Sequence, residues 1–171
     1  MSERERRITK NYILKTRMTA KEVQYALTCT AGSPFNFRSH IVIPNIRDPT
    51  IGFTHELDLL SISLKTHIGT EIEIKASKAD IKRDLEKKHL HYDARVRQIY
   101  FAGGMALHDA LFEYVPAHFG IITVYKNQCT IRRKAKALKT FRKPFSQNEV
   151  FRIMRLGNMR YWSLFGKQFK T

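Results

Sequence analysis

The chain has 171 residues, 43% apolar and 11% aromatic, enough to build one domain around a hydrophobic core. No segment approaches the length of a membrane span and the first thirty residues hold no apolar run suited to a signal peptide, so the expected setting is soluble and cytoplasmic, with no membrane partner. Thirty-one Lys and Arg against fifteen Asp and Glu leave a net charge of +16, which points to a polyanion, with nucleic acid the best fit; the competing reading is that the charge only keeps the protein soluble.

In chain order, Ser2 to Lys15 is rich in charge, and residues 1–18 read as a basic N-terminal arm. Thr19 followed by Glu22 is a capping box opening a helix through Val23, Ala26 and Leu27. Three strand-like runs follow, Ser39 to Pro44, His55 to Ser63 and Thr70 to Ala76, joined by links that contain Gly52 and end in Gly69, as in an antiparallel meander. Ser77 with Asp80 opens a second helix, expected to run to about Tyr92 with Ile81, Leu85 and Tyr92 on one side. Gln98 to Ala102 reads as a buried strand ended by Gly103-Gly104, Met105 to Tyr114 as a short helix, and Gly120 to Tyr125 as another strand. A basic hairpin-like segment comes next. Ser146 with Glu149 then opens a terminal helix bearing Val150, Met154, Tyr161 and Phe165, which Gly157 is expected to bend or end. The order predicts an α/β (α+β) fold, a mixed sheet with helices against its faces.

Charge is distributed unevenly along these elements. Residues 126–171 hold thirteen basic residues and one acid, Glu149, so this basic C-terminal extension carries +12 of the total. The acids concentrate instead at the second and third strands. Alternation puts Glu56 and Asp58 on one face of the second, and Glu71, Glu73 and Lys75 on one face of the third. Four carboxylates and one lysine on a single sheet surface repel one another, and a divalent cation is the simplest compensation. The cysteines Cys29 and Cys129 have no CxxC spacing, and the pair His89 and His91 lacks partner ligands, so neither suggests a zinc site.

Asp58 on one strand and Glu73-Ile74-Lys75 on its neighbour match a D…(E)xK signature, and with the helix, three strands, helix, strand order the chain resembles the PD-(D/E)XK nuclease superfamily. The run from Lys75 to Asp84, with Gln98–Ala102 and Gly120–Val124, resembles its small MmcB-like branch, whose members are linked to DNA repair. The resemblance spans residues 19–125 and departs from the pattern at Leu57, where a proline commonly precedes the acid.

It implies a restriction-endonuclease-like core of order αβββαβ and hydrolysis of DNA phosphodiester bonds with Mg2+, for which Mn2+ can substitute. Asp58 and Glu73 would hold the metal, with the Ile74 carbonyl a further candidate, and Lys75 would orient or help deprotonate the attacking water. Glu22 is a further ligand candidate from the first helix, against its capping role. Glu56 and Glu71 are candidates for a second metal, against solvated rim charges. Asp80 and Asp84 read as helix-capping and lysine-pairing residues.

Lys78 and Lys82 are candidate phosphate contacts, as are Arg132, Arg133, Lys134 and Lys136, which no acids dilute. Phe141, Tyr161 and Trp162 lie among basic residues, and core packing is expected for them in preference to stacking on bases. The alternatives to a DNA nuclease are a non-catalytic nucleic-acid-binding module, a nuclease directed at RNA, and one active only with protein partners.

Overall fold

Six runs of alternating or continuous apolar residues form one sheet, and the helices between them cover its two faces. The computed structural model describes residues 17–86 and 93–167. In order these form α1 (Ala20–Cys29), β1 (His40–Ile46), β2 (Leu57–Ser63), β3 (Gly69–Lys75), α2 (Lys78–Leu85), β4 (Val96–Gly104), a 3-10 turn (Met105–Leu107), α3 (His108–Tyr114), β5 (Gly120–Tyr125), β6 (Gln128–Arg133) and α4 (Gln147–Lys167). The strands lie side by side in sequence order. β1, β2 and β3 form an antiparallel meander, β3, β4 and β5 are parallel, and β6 returns antiparallel to β5. The parallel steps need crossovers, which α2 and α3 occupy.

Side-chain alternation sorts the core into two layers. Leu59, Ile72, Ile74, Tyr100, Ala102, Ile122 and Val124 pack under Val23, Ala26 and Leu27 of α1. On the opposite face Leu60, Ile62, Ile99, Phe101 and Ile121 meet Ile81 of α2, Leu111 of α3, and Val150 and Ile153 of α4. The basic segment after Tyr125 joins the same sheet through β6, and its Leu138 and Phe145 lie in the second layer. Among the described residues no helix is long and apolar enough to cross a membrane.

The capping boxes of α1 and α4 form as the sequence predicts: Thr19 N donates to Glu22 Oε2 at 2.7 Å and Ser146 N to Glu149 Oε2 at 2.7 Å. At α2 the exchange differs. Asp80 N donates to Ser77 Oγ at 3.1 Å, but the Asp80 carboxylate accepts from Ala76 N at 3.3 Å. α2 ends at Leu85, short of the expected Tyr92, and residues 87–92, including His89 and His91, lie outside the described residues. Cys29 is exposed and Cys129 half-buried, both as free thiols.

α4 runs through Gly157 without ending there, and the glycine lies close against β1: a Cβ would sit 3.0 Å from Ile43 Cδ1. Val150 and Ile153 are the buried seam of α4, whereas Met154 and Tyr161 are exposed.

Candidate functional site

All seven residues of β3 are buried. Its apolar residues Ile72 and Ile74 belong to the layer under α1, so the alternate residues Glu71, Glu73 and Lys75 are committed to the other face, beneath α2. β2 contributes the next acid. Its pairing with β3 begins at Leu59 opposite Ile72, and just before that point Asp58 replaces a ladder contact with its side chain, Oδ2 accepting from Ile74 N at 3.0 Å. Asp58 thereby closes the carboxyl end of β3, directly before the capped start of α2.

Lys75 is the hub. Its ammonium Nζ lies 2.7 Å from Glu73 Oε2 and 3.2 Å from Asp84 Oδ2, all three groups almost fully buried, and 5.5 Å from the Phe101 ring centroid. Burial alone would pull the Lys75 pKa down. Glu73, through its charge and hydrogen bond, then the charges of Asp84 and Asp58, outweigh burial and raise it. Lys75 is therefore held as an ammonium. It can supply positive charge to an anionic reactant, but it is not a base in this state.

A second group adjoins this one. His55 Nε2 lies 3.0 Å from Glu71 Oε1, and one ligand atom each from His55, Glu71 and Glu73 falls within 4.8 Å of the others. Buried Asp93 accepts from Thr54 N at 3.2 Å and Arg95 N at 2.9 Å; burial, with a contribution from the charge of Glu71, pushes its carboxyl above the ordinary range. Among the described residues, Asp58, Glu71, Glu73 and Asp84 thus bring four carboxylates close to Lys75 and His55. Hard oxygen donors crowded in this way fit magnesium or manganese.

The structure brings Asp58, Glu71, Glu73 and Lys75 together and separates Glu22 and Glu56 from them. Glu22 is exposed on α1, which covers the opposite face, and its carboxylate closes the capping box; the hydrogen bonds from Thr19 hold it below the usual range. Glu56 falls outside β2, because the strand starts at buried Leu57 and not at His55; its exposed side chain lines a groove with Arg160 and Tyr161.

Among the basic candidates, Lys78 lies 3.1 Å from Glu113 Oε2, and the Lys78 and Lys82 ammoniums each stand 4.9 Å from the Tyr114 ring centroid. Arg133 serves the fold. Its Nε donates to Phe119 O and its Nη2 to Val115 O and Pro116 O, each at 2.8–2.9 Å, and burial lowers its pKa. Arg132 is exposed, with Nε donating to Thr123 Oγ1 at 2.8 Å, and Lys134 and Lys136 are exposed. Core packing does not hold for Tyr161 and Trp162, which are exposed, while Phe141 is half-buried.

Three site residues escaped the sequence reading, Asp84 and Asp93 buried and His55 half-buried. Asp84 sits three residues after Ile81 on α2, so it shares the inward face; that spacing was the available signal. His55 shares the second-strand motif but precedes β2, and Asp93 follows the residue at which the second helix was expected to end.

No family model matches the chain, and no curated protein matches its sequence. A solved structure of a protein of unknown function from Silicibacter pomeroyi shares the architecture, with a TM-score of 0.51 at 15% identity, covering 78% of this chain and 82% of that one. At that identity the likeness concerns the fold alone.

Proposed function

We propose that this protein is a metal-dependent nuclease hydrolysing DNA phosphodiester bonds, built on a restriction-endonuclease-like αβββαβ core, with a role in DNA repair or processing. The carrying observation is the set Asp58, Glu73 and Lys75 at the carboxyl end of β3, with Glu73 and Lys75 buried and Asp58 half-buried. Asp58 and Glu73 would hold magnesium or manganese, with Glu71 and His55 adjacent. When bound, the ion supplies Lewis acidity toward a phosphoryl oxygen and acidifies water.

The chain's own groups do the rest. The Asp58 carboxylate keeps its orientation through the Ile74 amide, and Lys75, held protonated by Glu73 and Asp84, offsets negative charge as it builds on the phosphoryl oxygens. Asp84 is a positioning residue that acts through Lys75. Lys78 and Lys82, at the start of α2, and Arg132, Lys134 and Lys136 supply phosphate contacts.

The test is cleavage of labelled single-stranded, duplex and branched DNA, and of RNA, with magnesium or manganese. Metal-dependent cutting of DNA by the wild type, abolished in Lys75→Ala and Glu73→Gln, is expected. Binding without cutting under all these conditions would favour a non-catalytic nucleic-acid-binding module. That second reading has one observation behind it: Glu73, Lys75 and Asp84 already pair with one another.

A further inference from the structure

α4 carries far more apolar surface than it buries. Beyond Val150 and Ile153, its Phe151, Met154, Met159, Tyr161, Trp162 and Leu164 are 47–62% exposed. Apolar surface gathered in this way on a domain marks a place where something binds. With 3.6 residues per turn, Phe151, Arg155, Met159 and Trp162 (spaced i, i+4, i+8, i+11) form one stripe, so a cation lies among the apolar side chains and not opposite them. A lipid-inserting helix segregates its cations to the far face, and insertion here would drag Arg155 into the acyl boundary.

The side of α4 opposite this stripe, which Arg160 reaches nine residues on from Phe151, meets β1 across a groove of about 590 Å3 whose lining includes Pro44, Glu56, Gly157, Arg160 and Tyr161. Glu56 is two residues before Asp58, so the groove adjoins the strand that carries the candidate ligand. Arg160 Nη1 donates to Pro44 O, a neutral partner, at 2.7 Å. Tyr161 and Trp162 meet edge to face with centroids 5.5 Å apart, each more than half exposed. Aromatic rings interleaved with arginines, in a segment of net +12, suit a ligand that offers flat apolar faces and a regular anionic backbone.

We propose that α4 is a platform for single-stranded nucleic acid: unpaired bases stack on Tyr161 and Trp162, while Arg155 and Arg160 contact the phosphates. A duplex keeps its base faces stacked inside and cannot use such a surface. The platform gives the nuclease reading above, on which its purpose rests, a single-stranded substrate class.

Trp162 is the chain's one tryptophan, so intrinsic fluorescence reports on this surface directly. The full-length protein is titrated in EDTA, where the binding readout does not depend on cleavage, with an oligothymidylate of about fifteen nucleotides. A duplex of equal length and phosphatidylserine vesicles are titrated alongside. Saturable quenching by the single strand is expected, with weaker binding of the duplex, and about tenfold lower single-strand affinity in Tyr161→Ala and in Trp162→Ala. Both side chains are exposed, so the melting temperature should hold, and a Trp162→Phe variant should keep most of the affinity.

Oligonucleotide binding seen by anisotropy with unchanged Trp162 emission would overturn the platform. So would a blue shift with vesicles alone, or emission that depends only on protein concentration, which would assign the surface to lipid or to a second copy. Cleavage with magnesium is scored separately: platform binding without cutting defeats only the nuclease reading, and cutting that ignores Tyr161 and Trp162 defeats only the platform.

Discussion

Replacing Lys75 with methionine keeps the aliphatic stem and removes the ammonium that lies 2.7 Å from Glu73 and 3.2 Å from Asp84. Lys75 and Glu73 expose only 3% and 2% of their side chains, so water cannot take over its role. Breaking a buried pair by deleting one partner costs about 3–5 kcal/mol, and here two carboxylates lose the same cation. In a domain of this size about 3 kcal/mol corresponds to a melting temperature lower by roughly 10 °C.

Two features distinguish this from ordinary cavity formation. Adding Asp84→Asn should restore part of the loss. Magnesium should stabilise the variant by mass action if the acids bind it. In the wild type the lysine's raised pKa contributes stability that is complete below its unfolded pKa of about 10.4 and is lost as pH rises through the folded value. Urea unfolding followed by circular dichroism measures all of this. A loss under about 1 kcal/mol would refute the reasoning that Lys75 offsets these carboxylates.

Magnesium should raise the melting temperature of Glu22→Gln as much as that of wild type but that of Asp58→Asn much less, because Glu22 lies across the sheet from Glu73; equal shifts for all three would mean nonspecific metal binding. Neutralising Arg132, Lys134 and Lys136 with glutamine should weaken DNA binding and lower the slope of log affinity against log salt by up to about 0.9 per lost contact, whereas Arg133→Gln should mainly lower stability; an unchanged slope in the triple variant removes those contacts. Burial pushes the Asp48 carboxyl up, but hydrogen bonds from Thr50 and the charge and hydrogen bonds of Arg152 hold it below the usual range. Its folded pKa is therefore depressed, so the stability it gives is present above about pH 4 and lost as pH falls through the folded value; Asp48→Asn should flatten the wild type's stability loss in that acid window, and an identical acid profile would count against it. In Gly120→Ala the new Cβ would strike the Tyr100 ring, and a loss of about 1–3 kcal/mol is expected in denaturant melts.

Element positions and types were legible because they rest on short-range chemistry. Thr19 with Glu22 and Ser146 with Glu149 satisfy amides three residues away, and the alternation Glu71-Ile72-Glu73-Ile74-Lys75 sorts itself onto two faces in any buried strand. The choice of Asp58, Glu73 and Lys75 from among these residues came from their resemblance to the D…(E)xK signature. Register and packing decided the rest. Only the start of β2 at Leu57 separates Glu56 from the site, and only the seating of α2 on the sheet turns Asp84 from a surface helix acid into the second partner of Lys75. Arg133 looked like one cation of a basic run until the turn between α3 and β5 presented its carbonyls, and Tyr161 and Trp162 became surface because the core beneath α4 ends at its buried seam. Local hydrogen bonding and alternation are written in neighbouring residues; which charge meets which across the fold depends on groups distant in sequence, whose meeting the tertiary structure alone determines.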